Sequence, residues 1–128
     1  MPSPSSRTTS AGHADPEDHV PLKAAHHLAL LLLAMEPTYG VELLQRIEAR
    51  SRGRIRLNAG SLYRMLAQLV EDGLVEPVEE VVNPAGAGAP RKLYGVTELG
   101  RAVLGLEASR QADLLALARS LDLAGRKP

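Results

Sequence analysis

A chain of 128 residues has room for one domain and little more, and this one contains no cysteine, phenylalanine or tryptophan. That excludes disulfides, thiolate metal sites and cysteine nucleophiles, and it leaves an aliphatic Leu/Ala/Val core suited to close-packed helices. The formal net charge of +0 excludes a uniformly basic coating protein, yet the charges are segregated: five arginines and no acids between Arg50 and Arg64, five acids and no bases between Glu71 and Glu80. A neutral chain arranged in this way still shows a partner one basic surface.

Residues 1–20, rich in Pro, Ser, Thr and Gly, read as a disordered tail without the apolar segment of a secretory leader. The longest apolar run, residues 28–35, is far short of the roughly 20 residues of a membrane helix. No membrane partner is expected, and the cytoplasm is the expected compartment. A first helix is predicted from Leu22 to Met35, apolar all round and therefore buried, and Glu36-Pro37 ends it. Thr38 is placed to cap a second helix, Tyr39 to Arg50, with Leu43, Leu44 and Ile47 on its inner face. The turn "SRGR" follows, with Gly53 free to take positive φ.

A third helix starts at Asn58, a good N-cap, and stops at Gly73. Leu62, Met65, Leu66 and Leu69 make its buried stripe, and Ser61, Arg64, Gln68 and Glu71 face out. Two strand-like runs, "LVEPVEEVV" and "RKLYGVT", flank the Pro/Gly/Ala segment "NPAGAGAP", a two-stranded ribbon with a long mobile tip. Thr97 caps a last helix reaching about Leu121, with Leu99, Val103, Leu106, Leu114, Leu117 and Leu121 near one face, interrupted by Arg110 and Asp113.

The expected fold is mainly α with a small β-ribbon: a winged helix-turn-helix over 21–97, a C-terminal dimerisation helix over 98–122 and a short tail, 123–128. The demands of reading DNA account for the unusual start of the third helix. A helix that enters the major groove end-on must keep that end small and rich in hydrogen-bonding groups. Ala59 and Gly60 let the backbone come close, while Asn58 and Ser61 add polar groups. Arg64 reaches a base edge or phosphate, Tyr63 offers its hydroxyl to a phosphate or packs on the second helix, and Arg54 and Arg56 neutralise backbone charge. Arg91 and Lys92 stand at the end of the ribbon tip, where a wing would lie along the minor groove.

The series "YGVELLQRIE", "GSLYRMLAQLVEDGLVE" and "PRKLYGVTELGRAVL" resembles the PadR family of bacterial transcription regulators. The matching positions are Tyr39-Gly40, Gly60-Ser61-Leu62-Tyr63, Gly73-Leu74-Val75, Arg91-Lys92, Tyr94, Thr97 and Gly100, over about residues 21 to 105. The resemblance implies a homodimeric repressor of the short type, whose single C-terminal helix crosses to the partner subunit. It also implies contact with double-stranded DNA through Ser61, Tyr63 and Arg64, with Tyr39 as a further DNA-binding position, and release by a small molecule. Asn58-Ala59 departs from the common Ser-Pro, and Gly95 replaces a frequent arginine, removing one wing contact.

Two recognition helices about one helical turn apart suit a pseudo-palindromic operator. With no tryptophan present, any effector would meet Leu, Ala and Val between the first and last helices and would be apolar or amphipathic. His26 and His27, adjacent on a helix, point about 100° apart and lack a completing cluster, so neither metal nor cofactor is expected. No nucleophile-base or paired-carboxylate spacing suggests an enzyme. The alternative function is a winged-helix module that contacts another protein.

Overall fold

The computed structural model describes residues 15–81 and 91–123, with the side chains of 79–81 and 91 excepted. The wing tip, most of the N-terminal tail and most of the C-terminal one lie outside the described residues. Four α-helices and three strands follow in the order α1 (Ala24–Met35), β1 (Thr38–Tyr39), α2 (Gly40–Arg50), α3 (Ala59–Glu71), β2 (Val75–Val81), β3 (Arg91–Val96) and α4 (Glu98–Ser120), after a 3-10 turn at Pro16–His19. The core is aliphatic: Ala29, Leu30 and Leu33 of α1, Leu43 and Ile47 of α2, the stripe Leu62, Met65, Leu66 and Leu69 of α3, then Leu74, Val75, Val103 and Leu104.

The expected α3 is confirmed in detail. The Ser61 N–H donates to Asn58 Oδ1 at 2.7 Å, and Gly73 follows the helix at φ 81°. Other expectations need correction. The ribbon is a three-stranded antiparallel sheet in the order β1-β3-β2, because Thr38 and Tyr39 pair with Tyr94 and Leu93. Thr38 therefore does not cap α2; it is buried in the sheet, and its hydroxyl donates to the Glu36 carbonyl at 2.9 Å. Tyr39 occupies the N-cap position without a side-chain cap bond. Helix α1 is not enclosed on every side, since Leu31 is 43% and Met35 64% exposed.

The body of the chain also begins earlier than residue 21. Asp15 caps the 3-10 turn, Val20 and Leu22 pack on the core, and the Leu22 N–H donates to Glu107 Oε1 of α4 at 3.0 Å. The stripe assigned to dimerisation divides in two. Val103 is wholly buried and Leu99 packs against its own core, whereas Leu114, Leu117 and Leu121 are exposed and Leu106 is half-buried. Helical periodicity shows one face but not which half of it the subunit itself covers.

Glu107 is the one fully buried charged side chain among the described residues. Its Oε2 accepts from Arg110 Nη2 at 2.5 Å, Arg110 Nε at 3.1 Å and Gln111 Nε2 at 2.9 Å. The Arg110 bonds foremost hold its carboxyl down to about 2, against the opposing pull of burial. A folded-state value below the unfolded one stabilises at all pH above about 4.5 and loses that contribution as pH falls toward 2. The contribution is at most about 3 kcal/mol. Denaturant unfolding of Glu107→Gln between pH 5 and 2 is expected to show a flatter acid limb than the parent; parallel limbs would refute it.

Candidate nucleic-acid interface

The segment between α2 and α3 explains why every second residue from Arg52 to Arg56 sits outward. Arg52, Arg54 and Arg56 are exposed, while Ile55 and Leu57 turn inward and pack on the core. Ser51 pins the turn, its hydroxyl accepting from the Ile55 N–H at 2.9 Å. Arg56 lies 3.8 Å from Glu48 with both side chains mostly in solvent, a pair of negligible strength. Its guanidinium stays available for phosphate.

The chain then delivers Asn58, Ala59 and Gly60, all exposed, at the start of α3. Asn58 satisfies one N–H and leaves the remaining first-turn donors pointing into solvent with the positive end of the helix dipole. Arg64 folds back over this end, its Nη2 donating to Ser61 Oγ at 3.2 Å. A Cβ added at Gly60 would stand 3.4 Å from Arg64 Nη1, an ordinary contact, so the guanidinium lies close against the bare backbone there. Asn58→Ala is expected to cost about 1 kcal/mol and to fray this first turn, read as faster amide exchange at Ser61 with protection at Leu66 unchanged.

Tyr63 lies on the flank of the helix, 44% exposed. Its ring covers Gly40, where an added Cβ would come within 2.6 Å of the tyrosine hydroxyl oxygen. Packing on α2 is thus real, and the exposed part of the ring remains free for other contacts. Tyr63 also lines a cleft of about 300 Å³ with Ala67, Val70, Glu71, Pro77, Lys92 and Tyr94, between α3 and the wing. Burial first, and the neighbouring Tyr63 second, push the Tyr94 hydroxyl up, so it stays protonated. Lys92 is exposed on β3, and Arg91 pairs in register with Val81 at the outer end of the ribbon.

The structure therefore brings Asn58, Ala59, Gly60, Ser61 and Arg64 to one helix end, with Tyr63 and Lys92 along the adjoining cleft. Arg54 and Arg56 lie on the approach to that end. Tyr39, in β1 at the start of α2, precedes Gly40, on which the Tyr63 ring sits, and pairs with Leu93 between Lys92 and Tyr94. Sequence reasoning missed Gly40 as the seat of Tyr63, although a glycine in the first turn of a helix is the available signal. Gly95 is explained by the sheet: Val78, the extra residue in the irregularity between Pro77 and Glu79, lies over it, 2.7 Å from where a Cβ would be.

The sequence profile of the transcriptional regulator PadR-like family matches residues 29–106. The chain belongs to the PadR-like family. Solved structures share its architecture. A PadR-like transcription factor from Bacteroides fragilis is 28% identical with a TM-score of 0.62, over 76% of this chain and 87% of that one. A PadR family regulator from Clostridium difficile is 20% identical with a TM-score of 0.64, over 77% and 98%. A PadR-like regulator from Bacillus cereus is 22% identical with a TM-score of 0.63, over 79% and 92%. Comparison with curated proteins finds no match. This PadR-like protein is a DNA-binding transcription regulator with a winged-helix fold, and not an enzyme. Among the described residues no helix is long and apolar enough to cross a membrane.

Proposed function

We propose that this PadR-like regulator is a cytoplasmic homodimeric repressor that reads a pseudo-palindromic operator through the start of α3. The bare, exposed helix end under Arg64 carries this reading. Asn58, Gly60, Ser61 and Arg64 supply base and backbone contacts, Tyr63, Arg54 and Arg56 take phosphates, and Lys92 with Arg91 extends the footprint along the wing.

Dimerisation rests on the exposed leucines Leu114, Leu117 and Leu121 of α4 and on Leu31 and Met35 of α1. Exposed apolar side chains of that number on a small protein call for a partner. Release by an apolar or amphipathic effector is supported by a groove of about 470 Å³ between the ends of α1 and α2, lined by Leu32, Met35 and Ala49. Arg50 and the ion pair Arg46–Glu36, at 2.9 Å, form its rim. That groove lies beside α2, not between α1 and α4 where the sequence suggested a pocket.

The decisive experiment is binding of the purified protein to its own upstream region and to a scrambled duplex at two salt concentrations. Tighter binding to the native fragment, weakening steeply with salt, is expected. Equal and negligible binding to both would remove that promoter and favour a protein-contact role for the wing. Arg64→Ala is expected to lose about 1–3 kcal/mol of discrimination between operator and scrambled DNA. Lys92→Ala should weaken both duplexes alike and lower the salt slope by about 1. An equal loss on every sequence in both variants would take base reading away from Arg64.

A further inference from the structure

Helix α4 has two unlike halves. Gly100, Val103, Leu104 and Glu107 are buried against the subunit's own domain, and no residue from Ala108 to Leu121 is. Glu107 is thus the last fully buried residue of the helix before its exposed half. We propose that Glu107 is a positioning residue that sets the direction of the projecting half of α4, and thereby the separation of the two recognition helices. The inference rests on the dimeric reading given above.

The argument is one of leverage. Val103 and Leu104 hold the helix through apolar contact, which is non-directional and allows rocking. Glu107, one turn further on, adds a directed bond: its Oε1 accepts the backbone N–H of Leu22 at 3.0 Å, in the arm that leads straight into α1. A rod held at two points along its length has a defined direction. From Glu107 to Leu121 the helix extends ~21 Å, so a swing of about 10° would move its tip by about 4 Å. Two recognition helices offset by that amount no longer meet successive major grooves together.

The chemistry also fits direction more than adhesion. A wholly buried carboxylate loses its hydration, and an apolar side chain of similar size would hold the two surfaces at least as firmly. What the carboxylate adds is geometry. Each oxygen is committed: Oε1 to the arm, Oε2 to Arg110 and Gln111 at the first turn of the projecting half. The same group therefore ties the arm on one side and stiffens the emerging helix on the other.

The chain has no cysteine, so an exposed Ala67→Cys on α3 gives one spin label per subunit, and pulsed dipolar spectroscopy reads the distance between recognition helices directly. The labelled parent is expected to show one narrow distance. Adding Glu107→Met, which removes both oxygens at similar side-chain size, should broaden that distribution at least twofold while mass and helical content remain those of the folded dimer. A distribution as narrow as the parent's would overturn the role of Glu107 and leave the dimer standing. No intersubunit distance in the parent would overturn the dimer, and this inference with it. Should Glu107→Met not fold, Glu107→Leu and Glu107→Ala, which also remove the acceptor for the Leu22 N–H, are read in the same way. Narrow distances in both would sink the proposal.

Discussion

Gly100→Ala is expected to destabilise the protein by at least about 3 kcal/mol and to lower Tm by roughly ten degrees or more. In an ordinary helix the same change is favourable by about 1 kcal/mol, because glycine is the poorer helix former. Here α4 begins directly on the start of β2. Thr97 caps the helix by accepting from the Gly100 N–H at 2.9 Å and donates to the Gly73 carbonyl at 2.6 Å, while its own N–H reaches the Leu74 carbonyl at 3.0 Å. A Cβ on residue 100 would overlap the Leu74 carbonyl oxygen and Val96 Cγ2. Backbone cannot step aside as a flexible side chain does, so the clash outweighs the propensity gain. Gly105→Ala, five residues on in the same helix with nothing within 4 Å of its added Cβ, should stabilise by about 0.5–1 kcal/mol. Thermal melts of the two variants should therefore move in opposite directions, and a shared direction would refute the packing account.

Leu114→Glu combined with Leu117→Glu is expected to convert the proposed dimer to a monomer. Leu117 is 58% exposed and Leu114 nearly half, so neither side chain supports the subunit's own fold, and the melting of the isolated domain should change little. In an apolar interface the four carboxylates of a dimer would be buried without partners, a cost several times the worth of the leucines. Sedimentation should give the monomer mass at micromolar concentration. Operator affinity should drop about a hundredfold or more, because the second recognition helix is no longer delivered at high effective concentration. A variant that stayed dimeric would move the interface elsewhere.

The legible parts of this fold are those whose signals are local. Asn58, Gly73 and Thr97 marked their helix ends to within a residue because capping is settled by neighbours three or four positions away. The α3 stripe was legible for the same reason. Strand β1 was not: two residues long, it takes its meaning from Tyr94 and Leu93, more than fifty positions further on, and a threonine before a helix resembles a cap until that partner is known. The arm at residues 15–22 was hidden by its polar composition, since only Val20 and Leu22 pack on the core and its bond to Glu107 joins residues 85 positions apart. Glu107 itself interrupts an apolar pattern, and periodicity passes over a charge whose burial depends on donors elsewhere. At the candidate site, the residue types at the start of α3 were readable, but Gly40 as the floor for Tyr63 required the two helices to meet.

In α3 the buried stripe and the outward residues proposed to meet DNA alternate along one helix, and Tyr63 alone serves both by packing on Gly40. Leu62, Met65, Leu66 and Leu69 are buried, while Arg64 bonds Ser61 and Gln68 bonds Asp72 at 3.0 Å, all on the outward side. Substitutions at 61, 64 and 68 therefore leave the core untouched. After a gene duplication, such a helix can drift toward a new operator one base at a time without passing through an unfolded intermediate sequence, and regulators of this build can multiply their targets at little cost in stability.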